Sequence, residues 1–355
     1  MMIWVKCKLI YRLGLLVVRR LCVRMSVKQP IVGYVGGHFC GNLGDELMFE
    51  CFIDQLHPAV VETLDTPRVE ELLSKLGLSG AAYFHRFILG GGTLINPIWQ
   101  GKVDRLSKMG VPMVAIGTGV GSCGKEQRGD VSFSEWKPVL SRFDSVCLRG
   151  PISVHRLKSI GLDGGQMCGD VALSLFEKVE LNPSANRIAI NVLKEPMTDD
   201  SLRGIVALVI PELKRRGFVI DAWVLNEEDI AYTRELLGEH ADRVFIMKTH
   251  QDIIDAAKDV RFSICTRLHA SVFSATRSVP TILLAYRDKC LDFMQSVGLE
   301  GSCVDLLSED YVEHALQQVE LHFDDEHLKC RHSKLCEKSS LLKERVLAAM
   351  RSVVD

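Results

Sequence analysis

The sequence has no Cys-x-x-Cys pair, no internal repeat, no low-complexity tract and no basic stripe in its body. Each absence removes a class of protein. Without closely paired cysteines, the 12 at positions 7, 22, 40, 51, 123, 147, 168, 265, 290, 303, 330 and 336 do not read as a redox motif or a zinc knuckle. Several sit in apolar surroundings, such as Cys147 in DSVCLRG and Cys265 in FSICTRLH. They are expected to be reduced core thiols, which points to a reducing, cytoplasmic setting. A formal net charge of −2 and a pI of about 6.6 exclude a chain-wide nucleic-acid footprint. A few local cations could still hold a small anion.

The first 30 residues lack both a membrane span and a signal peptide. Their longest uncharged apolar stretch covers only residues 13–18, whereas a span needs about 20. No small-residue cleavage site follows. Lys6, Lys8, Arg12, Arg19, Arg20 and Arg24 interrupt the apolar residues. Two readings suit this pattern: a basic amphipathic helix on the inner face of an anionic membrane, with peripheral contact through residues 1–24, or a chain whose real start is Met25. The second is the simpler expectation. In the tail, His327, Cys330, His332 and Cys336 have no standard zinc spacing, so they read as a compositional cluster on a helix and no metal is expected.

What is present is an α/β pattern. At 355 residues with 47% apolar content, the chain is long enough for two domains of ordinary composition. Short apolar strands at 30–35, 86–89, 111–116 and 145–148 alternate with helices at 44–56 and 151–160. The pattern pauses at 177–186 and restarts with strands at 187–191, 218–225, 243–247, 262–265 and 281–285. Short apolar strands separated by helices imply parallel sheets covered on both faces. The expected fold class is α/β, two doubly wound Rossmann-like domains facing a cleft. Their bounds are 30–176 and 187–320, with a basic extension at 1–29 and a helical tail at 321–355. Ligands of such sheets bind beyond the carboxyl ends of the strands.

The residues that could carry chemistry fall at those ends. GGHFCGNLGDE at 36–46 joins a strand to a helix, where glycines admit a ligand and the helix N-terminus favours an anion. Asn42 or Asp45 would cap that helix, and Asp45 could instead serve as a general base. Gly90, Gly91 and Gly92 follow a second strand; Gly117, Gly119 and Gly121 follow a third. Both clusters read as flexible loops or as anion-binding backbone. Arg149, before Pro151 and Ser153, could clamp a carboxylate or phosphate, or bridge the domains. Asp170 reads as a cap or hinge. Arg267 and His269 stand two apart where a strand ends, which aims a cation and a titratable imidazole the same way if the backbone is extended. Tyr286 and Lys289 close the next strand, with Lys289 either a phosphate contact or a solvated helix-start residue.

In this order, NLGDE at 42–46, the glycines at 90–92, GTG at 117–119, Arg149 with Ser153, Gly169-Asp170-x-Ala172, Arg267-Leu268-His269 and Pro280 through Tyr286 to Lys289 resemble the polysaccharide pyruvyltransferase family, from about residue 31 to 299. No single motif is specific; the ordered set is. The resemblance implies a fold similar to the B-type glycosyltransferases, phosphoenolpyruvate as donor, and a glycan or lipid-linked sugar as acceptor. It implies no cofactor and no metal. On that basis His269 is expected to act as general acid, Arg267 and Arg149 to hold the donor, and Asp45 to act as base. Asn42, Ser153, Tyr286, Lys289 and the glycine clusters are expected to bind substrate. Alternatives are a nucleotide-sugar glycosyltransferase on the same fold and a non-catalytic glycan-binding protein.

Overall fold

Segments such as IVGYV at 31–35 and VRFSIC at 260–265 place most of their residues against apolar neighbours, so both faces must be covered. The computed structural model describes residues 2–38, 41–122, 132–196 and 198–355. It resolves that demand with two parallel sheets flanked by helices.

The first sheet contains β1 (Ile31–Val35), β2 (Val60–Thr63), β3 (Arg86–Leu89), β4 (Gly92–Ile95), β5 (Met113–Val120), β6 (Ser145–Leu148) and β7 (Gln166–Met167). Its order is β2-β1-β3-β5-β6-β7, and β4 pairs with β5. The second contains β8 (Arg187–Asn191), β9 (Val219–Val224), β10 (Arg243–Ile246), β11 (Val260–Cys265), β12 (Thr281–Ala285) and β13 (Cys303–Asp305), in the order β10-β9-β8-β11-β12-β13. That is the doubly wound order, with its switch point between β8 and β11. Central strands β1, β11 and β12 are buried throughout, whereas edge strand β10 is largely exposed.

The helices are α1 (Met2–Ser26), α2 (Leu43–Leu56), α3 (Pro67–Lys75), α4 (Pro97–Leu106), α5 (Lys137–Leu140), α6 (Pro151–Ser159), α7 (Asp199–Arg215), α8 (Asp229–Leu237), α9 (His250–Ala256), α10 (Leu268–Thr276), α11 (Asp288–Ser296), α12 (Tyr311–Phe323) and α13 (Asp325–Arg351). Asn42 caps α2 by accepting the Gly44 N–H at 3.1 Å. Asn96 caps α4 with Pro97 at its first position.

Both ends of the chain are keyed into the first domain. Helix α13 returns from the second domain, and Leu342, Val346 and Met350 enter a core shared with Val32 and Tyr34. Lys343 donates to the Phe176 carbonyl at 2.7 Å and Arg86 to that of Ser352 at 2.6 Å. At the other end, the fully buried Arg20 of α1 donates to both carboxylate oxygens of Glu70, at 2.8 and 2.9 Å, and lies 3.3 Å from Glu62. That pairing gives Glu62 and Glu70 a buried cation. Among the described residues no helix is long and apolar enough to cross a membrane.

The same core runs between the sheets, joining Val32 and Tyr34 to Trp223, Cys265 and Phe273. The Leu43 N–H donates to the Leu225 carbonyl at 3.2 Å across the domains. The two carboxyl edges therefore face each other at short range.

Candidate active site

Between those edges lies a cleft of about 280 Å³. The first domain lines it with Gly37, Asn42 and Asp45 after β1, Gly92, Thr93 and Leu94 after β3, Trp99 in α4, and Ser122 and Arg149 after β5 and β6. The second lines it with Arg267, Leu268 and His269 after β11 and Tyr286, Arg287 and Lys289 after β12. Helices α2, α10 and α11 all begin here, and helix N-termini carry partial positive charge. Phe39 and Cys40 of the 36–46 loop lie outside the described residues.

Arg267 is the residue that caps α10 at its start, and His269 lies in the first turn. Their common direction therefore comes from a helix start, not from the extended strand end that the spacing suggested. Asp229 pins the Arg267 guanidinium through Nε and Nη2, the latter at 2.9 Å, while one edge of the arginine still faces the cleft. Such a two-point pair fixes the fork for planar anions.

His269 packs so closely on the backbone of α2 that a Cβ on Gly44 would fall 1.9 Å from its Nδ1. Only glycine fits there. The ring stacks on Phe273, and its Nε2 is buried with no hydrogen-bond partner. Burial drives the His269 pKa down to about 3, and Lys289, Arg149 and Arg267 add to the depression. The imidazole is therefore neutral at ordinary pH, with three cations beside it.

Arg149 is buried, donates to the Thr93 hydroxyl at 3.2 Å and lies 3.7 Å from the Asp292 carboxylate of the second domain. It bridges the domains, one of the alternatives its sequence left open, and also lines the cleft. Gly119 makes room for it, since a Cβ there would sit 2.4 Å from Arg149 Nη2. Asp45 accepts from the Asn42 side-chain amide at 2.9 Å.

Five of the expected binding residues stand behind the cleft surface. Ser153 is buried; its hydroxyl donates to Asp292 at 2.7 Å and accepts the Val120 N–H at 2.9 Å. It is a domain-bridging residue rather than a ligand contact. Gly117 and Gly119 belong to β5, which runs through to Val120 instead of ending at Ile116, so they form no loop. Gly117 sits at a register shift with φ +69° and packs on Val171. Gly90 and Gly91 pack on Tyr34 and Met48, leaving Gly92 at the cleft. Asp170, buried under Arg149, caps the turn at 171–175 by accepting the Ala172 N–H, and its carboxyl is pushed up by burial.

Sequence reasoning missed Thr93 and Trp99, and gave Arg287 no role beyond a cation at the strand end. Arg287 directly follows a residue already singled out, and its neighbour Glu195 holds it at 3.3 Å. Trp99 gave no signal, because one aromatic in a helix start has no pattern to mark it.

The whole-chain fold is similar to that of several sugar-nucleotide enzymes at low identity. The Staphylococcus aureus MnaA–UDP co-structure is matched at TM-score 0.59 and 11% identity, over 89% of this chain and 94% of that one. A UDP-glucosyltransferase from Polygonum tinctorium is matched at 0.54 and 10%, over 93% and 100%. The UDP-GlcNAc 2-epimerase of Methanocaldococcus jannaschii is matched at 0.52 and 10%, over 84% and 94%. At such identities the likeness shows the fold alone, two Rossmann-like domains as in B-type glycosyltransferases. No curated protein sequence matches the chain significantly. The sequence model of the polysaccharide pyruvyl transferase family, however, matches residues 42–288, which run from the Asn42 cap of α2 to the first residue of α11 and include both sides of the cleft. With that match over most of its length, the chain belongs to the polysaccharide pyruvyl transferase family.

Proposed function

We propose that the protein transfers the pyruvyl group of phosphoenolpyruvate to two hydroxyls of a sugar, forming a ketal and releasing phosphate. One observation carries the reading. Arg149, Arg267, Arg287 and Lys289 converge with a single imidazole on a cleft whose other side offers a carboxylate and an indole. A small donor that is nearly trianionic needs the first group; a neutral polyol needs the second.

A proton adds to the C3 methylene of the donor, leaving an oxocarbenium-like centre at C2. One sugar hydroxyl adds there and loses its proton. The C2–O bond to phosphate then breaks, phosphate takes a proton and leaves, and the second hydroxyl adds with loss of its own proton. His269 supplies the first proton. The imidazole is neutral in the free protein, so donor binding must bring that proton with it. Burial holds the ring neutral and Lys289, Arg149 and Arg267 add to the effect; the donor anion offsets those three charges and raises the pKa. Arg267, Arg149 and Lys289 hold the carboxylate and phosphate, and Asp45 accepts a hydroxyl proton. Trp99 gives the acceptor's C–H face an apolar platform. The acceptor is a glycan or lipid-linked sugar.

The test is phosphate release from phosphoenolpyruvate with a panel of sugar acceptors and His269→Ala as control. Acceptor-dependent release, matched by a pyruvyl mass gain on the sugar, supports the transfer. Release of a nucleotide from a nucleotide sugar, with no phosphate from phosphoenolpyruvate, would replace it with glycosyl transfer.

A further inference from the structure

We infer that α1 is a membrane-docking element, clamped to the first domain on one face and presenting an apolar stripe to an anionic lipid surface on the other. The clamped face is built around Arg20, which has no exposed surface, donates to Glu70 and to the Leu78 carbonyl at 2.9 Å, and lies over the Phe84 ring. One turn on, Arg24 donates to the Gly77 carbonyl at 2.8 Å. A helix fixed at two points, one of them a buried cation, has its outward face set.

That face is apolar. Leu15, Val18, Leu21 and Met25 are 54%, 59%, 42% and 79% exposed. Positions 15, 18, 21 and 25 recur at spacings of three and four, so they form one continuous stripe along the helix. Leu72 and Leu76, also exposed, lie in α3 and at its end, beside the Gly77 that Arg24 grips. Scattered apolar residues need no explanation, but a stripe on a rigidly seated helix does.

The charge pattern selects the occupant. The first 24 residues carry six cations and no carboxylate, in a chain of formal charge −2; Arg20 is buried against Glu62 and Glu70, which leaves five beside the outward face or ahead of it. The Arg19 side chain is 61% exposed beside the stripe. Two copies meeting stripe to stripe would bring two such cationic segments together with no carboxylate from either. Anionic headgroups complement them.

Docking there also sets where the cleft opens. Leu15, Leu16 and Arg19 border a groove of about 320 Å³ that reaches His38, and Gly37, the preceding residue, lines the active cleft. The stripe and the cleft are thus neighbours at the carboxyl edge of the first sheet. A membrane-borne acceptor would meet the cleft from that side; this clause alone rests on the proposed transfer.

The experiment is co-sedimentation of the full chain with vesicles of phosphatidylcholine, with and without phosphatidylglycerol, in the absence of substrate. Binding only to the anionic vesicles, weakened by salt and weakened at least about tenfold in Val18→Gln/Met25→Gln, supports the inference. Both substituted side chains are exposed, so the fold and turnover of a soluble acceptor should be unchanged. Binding to neither vesicle overturns it, as does equal binding of the variant. A concentration-dependent dimer abolished by the same substitutions would assign the stripe to a second copy and also overturn it. Vesicle binding without any pyruvyl transfer would leave this inference standing and sink the transfer reading instead.

Discussion

The two walls of the cleft differ in kind. The second domain's wall is cationic: Arg267, Arg287 and Lys289 surround a neutral His269. The first domain's wall is backbone, amide, carboxylate and indole: Gly37, Gly92, Asn42, Asp45 and Trp99. Arg149 belongs to the first domain by sequence but reaches the cleft beside the Asp292 carboxylate of the second. On the proposed reading, two similar folds divide one task. A sheet edge that ends in Arg-x-His and Tyr-Arg-x-Lys collects anions; one that ends in glycines and a capped helix leaves room for a polyol. On the proposed transfer, donor chemistry falls to the second domain and acceptor recognition to the first.

That division can be broken from either side, and the second domain should be the more sensitive. His269→Ala should lower kcat by at least about a hundredfold in acceptor-dependent phosphate release, with a smaller change in the KM for phosphoenolpyruvate. Near wild-type turnover would remove His269 from the acid role. Arg267→Met should raise the donor KM by about tenfold or more, and Asp229→Asn should reproduce part of that effect by releasing the guanidinium. If Asp229→Asn changed stability but not the donor KM, the pinning would be structural only.

Gly44→Ala sharpens the comparison, because the substitution is in the first domain, behind its wall, and its consequence on the second. The added methyl would collide with His269, so kcat should fall about tenfold or more while the acceptor KM holds. Trp99→Ala should do the opposite, raising the acceptor KM by roughly tenfold and leaving the donor KM alone. A shift in the donor KM of that size would mean that both substrates share one wall.

The smallest effect is on acid stability. Burial brings His269 and His322 down to about 3, against an ordinary 6.5. Between those values the unfolded chain binds a proton at each site and the folded chain does not, so stability falls as pH drops from about 6.5 towards 3. Each residue contributes at most ~1.4 kcal/mol per pH unit in that window. His269→Asn should shallow the acid limb of a denaturant series measured against pH. An unchanged limb would mean that the ring is solvated. Phosphoenolpyruvate should be taken up together with a proton, seen as a binding enthalpy that depends on the buffer.

Much of this was legible in the sequence. The strands were visible because parallel sheets bury both faces, so their apolar runs stand out, and the Asn42 cap and the Arg267–His269 pair fell where strand gives way to helix. The misplaced residues were those whose role depends on what lies behind them. Gly117 and Gly119 read as a loop, yet β5 continues through them because Val171 and Arg149 require the space that side chains would take. Ser153 read as a ligand contact, yet its partner Asp292 lies 139 residues away, and no local pattern announces a contact of that range. Arg20 read as one cation in a row of six; only the buried Glu62 and Glu70 distinguish it. Replacing it with Met should cost about 3–5 kcal/mol, since it would strand buried carboxylates, and thermal unfolding would show the loss.

The division of labour is tested most directly by equilibrium binding of phosphoenolpyruvate, without acceptor, to Arg267→Met, Lys289→Ala, Trp99→Ala and Asp45→Asn. The account predicts that the first two weaken binding by about tenfold or more and that the last two leave it within about twofold of wild type. Comparable losses in all four, or losses confined to Trp99→Ala and Asp45→Asn, would contradict it.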